Sequence, residues 1–411
     1  MIIAVSEIVI LMMIYYEYRR YRIAASPIVI LGGIYFLFIP IINVLAPYFG
    51  FLNLSNQTIL SFAFLLLILF GGGQMWPEFY RKIETVDMAA IQTKLKKKEK
   101  YIWCIYVFGL ISYVISLLQV INRYGIYNTK SNAYGIFAHI GFISRSLLPL
   151  IIYYAIKSKK IKYIVAIIIN VIALIAFKGK YHLYIPIGGF VVLTLILKKN
   201  IKIIQVVKTV CVTFLLAIIL FVSVYTIIPN IIAGDTSNEV MKTGIRFSTK
   251  HFFHYFFCPF IASNEYFSNP CYLGLTNGIR IVFNPYDRLL QWFIGSGDYY
   301  DPAITLWPII DLDGNTGNVG GIFSETVFNI GYIGTVIYIL AIGTLVYYFW
   351  TKTVFKGKRL ITTIYLVGLL MFCFFCNYFT LLPNLECFVI CYCVDVFVLD
   401  GKFKVGNNRI L

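Results

Sequence analysis

The sequence has little charge and lacks the motifs of several common protein classes. Only 13% of its 411 residues are charged, about half the share of an average soluble domain, so an ordinary soluble enzyme is excluded. No glycine-rich phosphate loop follows a strand pattern, which argues against a nucleotide-binding domain. The first apolar run lacks the basic leader and the small-residue cleavage site of a signal peptide, and we expect it to be retained as a span.

The sequence is instead rich in long hydrophobic runs. Hydrophobic residues make up 60% of the chain and gather into eleven runs that approach the roughly 30 Å thickness of bilayer hydrocarbon. The runs are Ile2–Tyr16, Pro27–Pro47, Thr58–Phe70, Tyr101–Ile121, Ile136–Ile156, Tyr163–Phe177, Leu183–Leu197, Val210–Ile228, Gly321–Trp350, Leu360–Phe379 and Leu385–Leu399. They predict an all-α polytopic membrane protein with about eleven transmembrane helices. Runs of about 15 residues reach only about 22 Å as helices, so we expect some to extend into their flanks or to cross incompletely.

Lysine and arginine follow a strict alternation along these runs. Most of the 35 basic residues lie in the links after odd-numbered runs and in the C-terminal tail. Cytoplasmic loops are enriched in Lys and Arg, so the alternation predicts an outward N-terminus and an inward C-terminus. It also accounts for the net charge of +17 without a nucleic-acid partner.

The same pattern divides the chain into three parts. Residues 1–228 hold the first eight helices, residues 229–318 form a large extracytoplasmic, periplasmic loop with interfacial helices, and residues 319–411 hold the last three helices and a cytoplasmic tail. A membrane protein seldom carries so long a polar segment on one face unless a partner or substrate is handled there.

Basic residues on the predicted outer face oppose the orientation rule and are therefore candidates for ligand binding. Arg145 lies inside the fifth apolar run, where a guanidinium costs at least about 2.5–3.5 kcal/mol unless it is paired or faces water. Two interpretations stay open: an ion pair with Glu325 at a comparable depth, or a clamp for a diphosphate or sugar anion. Lys178 and Lys180 in the KGKYH turn either extend to lipid headgroups or form a phosphate-binding turn.

The predicted outer loop adds two groups of residues. His251 and His254 share one helical face among phenylalanines, which is typical of an interfacial helix or of a catalytic base. Without a third ligand they are a poor metal site, and we expect no metal. Cys258 and Cys271 would be able to pair in an oxidising compartment.

Further along the loop, Arg280, Asp287 and Arg288 alternate with aromatic residues such as Trp292. This mixture suits saccharide recognition, because aromatic rings stack on sugars and carboxylates accept hydrogen bonds from hydroxyl groups. A solvated loop has a similar composition, so both interpretations remain.

These segments carry a resemblance to a known family. RIVFNPYDRLLQWFIGSG, from Arg280 to Gly297, is similar to the Arg-rich segment before a Gly-x-Gly turn in the Wzy-type O-antigen and oligosaccharide repeat-unit polymerases, which are related to the WaaL-type O-antigen ligases. The stretch from Gly321 to Gly334 resembles the step at which the last loop of that family enters a helix. The number of spans and the late outer loop also match.

The chain departs from the family in two places. KGK at 178–180 replaces an arginine after Gly-Ser, which leaves point charges instead of a guanidinium fork. Glycines at 320 and 321 stand where ligases carry a histidine, and this favours a polymerase over a ligase.

The resemblance implies a glycosyltransferase of the bacterial inner membrane that acts in O-antigen or capsule-like polysaccharide synthesis. It would move a growing glycan from undecaprenyl diphosphate onto the terminal sugar hydroxyl of another lipid-linked repeat unit, without a cofactor. Its partners would be undecaprenyl-diphosphate-linked oligosaccharides, membrane lipids and, as a further candidate, a chain-length regulator, but not nucleic acid. The cations expected to bind the diphosphate or sugar are Arg145, Lys178, Lys180, Arg246, Arg280 and Arg288. The candidate catalytic bases are His251, His254, Asp287 and Glu325.

Two other classes of function remain. A ligase or another glycosyltransferase would use the same donor, although the link at 49–57 lacks the carboxylates expected of a C-type glycosyltransferase. A transporter or flippase for a lipid-linked saccharide would place its site between discontinuous helices, and Pro47, Pro149 and Pro186 offer breaks.

Overall fold

The computed structural model describes residues 2–80, 86–125, 135–177, 181–198, 237–287, 308–317 and 319–401, with isolated positions at 219, 222 and 226. Within these ranges the chain is helical and contains no strand. Isolated antiparallel bridges join Phe51 to Asp311 and Ile309 to Thr316. The prediction of an all-α membrane fold is confirmed.

The helices are numbered here in chain order over the described residues. They are α1 (Ile2–Tyr21), α2 (Pro27–Leu45), α3 (Asn56–Gln74), α4 (Pro77–Tyr80), α5 (Met88–Tyr124), α6 (Ile136–Ser158), α7 (Ile161–Ala176), α8 (Tyr181–Leu197), α9 (Asn238–Ser268), α10 (Leu275–Val282), α11 (Ile322–Lys356), α12 (Leu360–Met371) and α13 (Leu382–Val394). Short 3-10 turns cover Ala46–Phe49 and Tyr378–Thr380, and a π-helical turn, Asp395–Leu399, extends α13.

Six of these helices are long and apolar enough to cross a membrane. They are α2 with the 3-10 turn that follows it to Phe49, α3, α5, α6, α11, and α13 with the π-helical turn that follows it to Leu399. Helices α7, α8 and α12 are apolar but hold only 16, 17 and 12 residues, and their crossing of the membrane stays a prediction. The predicted run Val210–Ile228 lies almost entirely outside the described residues, and the full count of eleven and the orientation stay predictions.

Helices α3 and α11 touch backbone to backbone. A Cβ on Gly72 would lie 2.6 Å from the Thr344 nitrogen, and one on Gly343 would lie 2.5 Å from the Leu69 oxygen. Small residues at a crossing allow this approach, which gives membrane helices dispersion contacts in place of a hydrophobic driving force. The crossing fixes α11 within the bundle.

Helix α11 is broken near its start. Gly331 adopts φ 68° and ψ 178°, a left-handed backbone that favours glycine. The carbonyls of Val327 and Phe328, just before the break, accept hydrogen bonds from the N–H groups of Cys271 and Tyr272 at 3.0 and 2.8 Å. The segment between α9 and α10 is thereby bonded to the interrupted helix.

Helices α12 and α13 form a hairpin that is secured at its basic end. Asp395 accepts hydrogen bonds from the backbone N–H and the hydroxyl of Thr362, both at 2.7 Å, at the start of α12. Asp400 pairs with Lys94 and Arg359, each at 2.6 Å. A carboxylate at a helix N-terminus satisfies otherwise unpaired N–H groups, so Asp395 serves as a cap supplied by another helix.

The tenth apolar run was predicted to be helical as far as Phe379. This prediction is wrong, because α12 ends at Met371. The cause is tertiary, since the Cys373 carbonyl accepts a hydrogen bond from the Ile322 N–H at 2.7 Å. The Asn377 N–H donates to the Glu325 carboxylate at 2.9 Å. These bonds to the start of α11 compete with the helical ones.

Candidate functional site

Residues 372–381, named here the α12–α13 link, form an irregular segment at membrane depth. From the Asp395 cap, the 12 residues of α12 rise only about 18 Å, whereas the hydrocarbon core is about 30 Å thick. Non-helical backbone at such a depth is tolerated where it is buried in protein or lines a cavity. The link is therefore the leading structural candidate for a functional site.

Glu325 is held at one end of the link. It lies in the first turn of α11, and its carboxylate accepts hydrogen bonds from the Asn377 N–H at 2.9 Å and from the Gly320 N–H at 3.2 Å. The start of a helix also favours negative charge. Two backbone donors fix the orientation of this partly exposed carboxylate, as a candidate base requires.

The side chain of Asn377 extends the polar contacts around Glu325. Its amide lies 3.3 Å from the Tyr338 hydroxyl and 3.4 Å from the Thr326 hydroxyl. All three of these side chains are buried. A buried polar network of this kind rigidifies its members, so it positions the backbone that holds Glu325.

Arg145 is held at the other end of the link. Its side chain is 1% exposed, and Nη2 donates to the Asn384 Oδ1 atom at 2.6 Å. Asn384, in the first turn of α13, donates in turn to the Tyr378 carbonyl at 2.8 Å. Arg145 and Glu325 thus have different partners in the structure, and the ion pair between them that the sequence left open is not formed.

The link therefore connects a carboxylate and a guanidinium through Asn377 and Asn384. The chemistry available is proton acceptance by Glu325 and anion binding by Arg145. Arg145 is enclosed, so anion binding requires neighbouring side chains to move. Neither asparagine was predicted, although Asn377 interrupts the tenth apolar run and Asn384 directly precedes the last one.

A second polar pair lies on the same helices as Arg145. His139 Nδ1, on α6, is 2.7 Å from the Glu386 Oε2 atom on α13. His139 precedes Arg145 by six residues, about 9 Å along α6. Glu386 was not predicted; the available signal was a carboxylate at the start of the last apolar run.

His251 and His254 do share one face of α9, with ring centroids 6.0 Å apart. Burial, and then the neighbouring His251, lower the pKa of His254, so its imidazole is neutral and able to accept a proton at pH 7. However, α9 meets the start of α11 through Ser263, whose hydroxyl donates to Ser324 at 2.9 Å. His254 precedes Ser263 by nine residues, roughly 14 Å along the helix, so the histidines lie apart from Glu325.

The other predicted cations of the loop are also dispersed. Arg246 is an exposed residue of α9, 17 residues before Ser263 and roughly 26 Å from it along the axis. Arg280 Nε lies 3.4 Å from an oxygen of Asp287. Asp287, a predicted catalytic base, is therefore paired with a cation. Arg280 belongs to α10, which packs on α11 at Asn329.

The remaining predictions concern three basic residues and one pair of cysteines. Lys178, Lys180 and Arg288 lie outside the described residues. Cys258 and Cys271 are not joined to each other in the structure, so the disulfide that the sequence allowed is not formed there.

The turn that begins at Asp311 spaces its carboxylates as in a cation-binding loop, but the Lys250 ammonium already lies beside them. The Asp311 carboxylate accepts hydrogen bonds from the Asn315 N–H at 2.8 Å and from its side-chain amide at 2.7 Å. The Lys250 ammonium lies 2.7 Å from Asp313 and 3.7 Å from Asp311, where a metal ion would otherwise sit. Across the described ranges no group of three His, Cys, Asp or Glu residues is placed to hold a metal.

Replacing Asp311 by Asn should lower stability at neutral pH. Burial raises the pKa of Asp311, but the hydrogen bonds from Asn315 and the charge of Lys250 outweigh it, so the pKa lies below its usual 3.8. A depressed carboxyl pKa stabilises the fold above about pH 3.8, and this contribution is lost as pH falls through the folded-state value. When thermal unfolding is measured from neutral to acid pH, the unfolding temperature should fall less for Asp311→Asn than for the parent chain.

The matched control for that comparison is Asp313→Asn. Asp313 faces the same ammonium, but its side chain is 69% exposed, so its ion pair is screened by water. An equal loss of stability in both variants would contradict the role assigned to the buried turn.

Together, the helices and the link define an all-α membrane protein in which ionisable side chains are held by an interrupted helical hairpin. Comparison with known families gives a more particular placement. The family of unknown function DUF6337 matches residues 92–405, and the chain belongs to it. The matched region includes Arg145, Glu325 and the whole link. No curated protein and no solved structure matches the chain.

Proposed function

We propose that the protein is a glycosyltransferase that joins undecaprenyl-diphosphate-linked oligosaccharide repeat units into an O-antigen or capsule-like polysaccharide. The observation that carries the proposal is the α12–α13 link. Its residue Asn377 binds the candidate base Glu325. Its Tyr378 carbonyl binds Asn384, which in turn binds the Arg145 guanidinium. Both charges lie within apolar helices, where ionisable groups are expensive and usually functional. The resemblance of residues 280–297 and 321–334 to the polymerases supports the choice of substrate.

The proposed reaction transfers one glycan between two lipid carriers. Glu325 accepts the proton of the acceptor sugar hydroxyl as that oxygen bonds to the anomeric carbon of the donor. The bond between the anomeric carbon and the donor diphosphate breaks, and the diphosphate leaves with its electron pair. Cationic side chains stabilise its developing charge. Arg145, Arg246 and Arg280 are the described candidates, and Lys178, Lys180 and Arg288 are further ones.

The proposal includes a topology. Eleven spans would place the N-terminus outside and the C-terminus inside a bacterial inner membrane, and residues 229–318 on the outer face. The basic cluster of Lys94 and Arg359 at Asp400 supports an inward location for that end of the α12–α13 hairpin. With this orientation, the link faces the outer side, where a lipid-linked repeat unit would be presented.

The experiment that tests the function is elongation by the purified protein. Reconstituted in liposomes with an undecaprenyl-diphosphate-linked oligosaccharide and no nucleotide sugar, it should convert the donor into a ladder of longer glycans on a gel. Arg288→Ala should abolish the ladder, because that arginine lies in the segment most similar to the polymerases. Absence of any lengthening by the parent chain would refute the proposal.

A transporter for a lipid-linked saccharide is the second candidate. It is favoured by two interruptions that lie together, the break of α11 at Gly331 and the α12–α13 link, since transporters form midplane sites from discontinuous helices. The two functions differ in their deletion phenotypes: loss of a transporter leaves no displayed repeat unit, whereas loss of a polymerase leaves single units. A ligase would instead transfer glycan to a different acceptor, and the gel ladder would then be missing.

A further inference from the structure

An apolar cavity of about 420 Å³ lies between α10, α11, α12 and α13. It is named here the α10–α13 groove. Its walls are aliphatic and aromatic, with Val282 from α10, Leu345 from α11, Leu366 from α12 and Phe388 from α13. A groove with such walls excludes sugars and phosphates and accepts hydrocarbon.

The groove has the length and direction of a lipid tail. Its lining on α11 extends from Ile330 to Leu345, which corresponds to about 22 Å along the helix axis. One leaflet contributes about half of the roughly 30 Å hydrocarbon thickness. The groove therefore runs along a membrane-spanning helix for more than the depth of a single leaflet.

One edge of the groove faces the surrounding lipid. Ile337, which lines it, is 65% exposed, and Ile333, one turn earlier on α11, is 81% exposed. Helix α10 covers the upper end, because Gly278 packs so closely on α11 that a Cβ there would lie 1.7 Å from the Asn329 carbonyl oxygen. A hydrocarbon chain can thus enter sideways from the bilayer and lie under α10.

The candidate site borders the groove. Three lining residues carry polar side chains, Tyr286, Tyr338 and Asn384; of these, Asn384 binds Arg145 and the Tyr338 hydroxyl contacts Asn377. A substrate whose reactive diphosphate is bound there would leave its tail in the groove.

We propose that the α10–α13 groove binds the polyprenyl chain of the lipid-linked glycan and thereby positions its diphosphate at the α12–α13 link. The identity of the headgroup rests on the proposed function. The groove supplies affinity from the apolar tail, and the link supplies the polar chemistry. Binding energy from a non-reacting part of a substrate can in this way orient the reacting part.

The test compares lipid retention by two tryptophan variants of α11. Ala341 lines the groove, so Ala341→Trp fills it, whereas Ile333→Trp adds a similar ring on the lipid-facing side of the same helix. Each protein is purified in detergent with equal amounts of undecaprenyl phosphate and dioleoylphosphatidylglycerol, and the bound lipids are counted by native mass spectrometry. We expect the parent chain and Ile333→Trp to prefer the polyprenyl lipid about tenfold, and Ala341→Trp to lose that preference.

Two results would overturn the inference. One is equal retention of both lipids by the parent chain, which would mean that the groove holds only bulk lipid. The other is an unchanged preference in Ala341→Trp, which would place the polyprenyl chain elsewhere.

Elongation measured on the same preparations separates this inference from the proposed function. A parent chain that elongates its donor but shows no preference removes the groove proposal alone. A parent chain that keeps the preference but never elongates its donor removes the polymerase proposal alone.

Discussion

Glu325→Gln is expected to abolish glycan elongation while leaving the protein folded in the membrane. Glutamine keeps the shape, and its single oxygen accepts from one of the two N–H groups, of Asn377 and Gly320, that bond to different oxygens of Glu325. It cannot accept the proton of a sugar hydroxyl. Loss of a general base costs typically 10²–10⁴-fold in rate. The measurement is the initial rate of glycan lengthening in liposomes, together with the thermal unfolding temperature in detergent.

The matched control is Glu265→Gln. Glu265 is an exposed carboxylate of α9 that accepts a hydrogen bond from Asn269 at 2.7 Å, and its replacement should leave elongation unchanged. If Glu325→Gln elongated glycan at the parent rate, Glu325 would not be the base. The search would then turn to His254, whose lowered pKa keeps it neutral.

Arg145→Met should reduce both stability and elongation. Methionine is of suitable length for the apolar surroundings, but it removes the charged donor of the Asn384 amide oxygen, which then keeps only the Tyr365 hydroxyl at 3.3 Å. Loss of a hydrogen bond from a charged group costs about 1.5–3 kcal/mol in the free energy of unfolding. If the guanidinium also stabilises the leaving diphosphate, elongation should fall by a further factor of about 10²–10³, as when one oxyanion donor is removed. Thermal unfolding and the elongation rate report these two effects separately.

Two further variants separate the structural effect of Arg145 from its charge. Asn384→Ala breaks the same hydrogen bond but keeps the cation, so it should lose similar stability and retain more activity than Arg145→Met. Arg123→Met, at the exposed end of α5, removes a guanidinium that rests 5.3 Å from the Tyr124 ring and should change neither quantity. Equal activity of Asn384→Ala and Arg145→Met would limit Arg145 to a structural role.

Sequence reasoning predicted the apolar helices because hydrocarbon imposes a strong rule. A backbone that crosses a bilayer must satisfy its hydrogen bonds internally, so long apolar runs become helices. The ends of those runs were less certain. α12 stops at Met371 because Cys373 and Asn377 bond to the start of α11, about 50 residues away in the chain, and no local pattern encodes such a contact.

The candidate site was predictable only in its charged members. Arg145 and Glu325 stand out because each is an ionisable residue within apolar sequence. Asn384 pairs with Arg145 across 239 positions, and the groove is formed by four helices, so neither follows from spacing. Asp287 appeared as a base among cations, but its pairing with Arg280 depends on how the chain turns after Val282.

The hydrogen bonds from Cys271 and Tyr272 to α11 have a consequence for protein engineering. Excising residues 238–287 would remove the N–H donors of two peptide oxygens just before the break of α11, and a buried acceptor left unpaired costs about 1–3 kcal/mol. This segment is therefore no detachable module. Homologues or chimaeras that exchange it should have to exchange the first three turns of α11 with it.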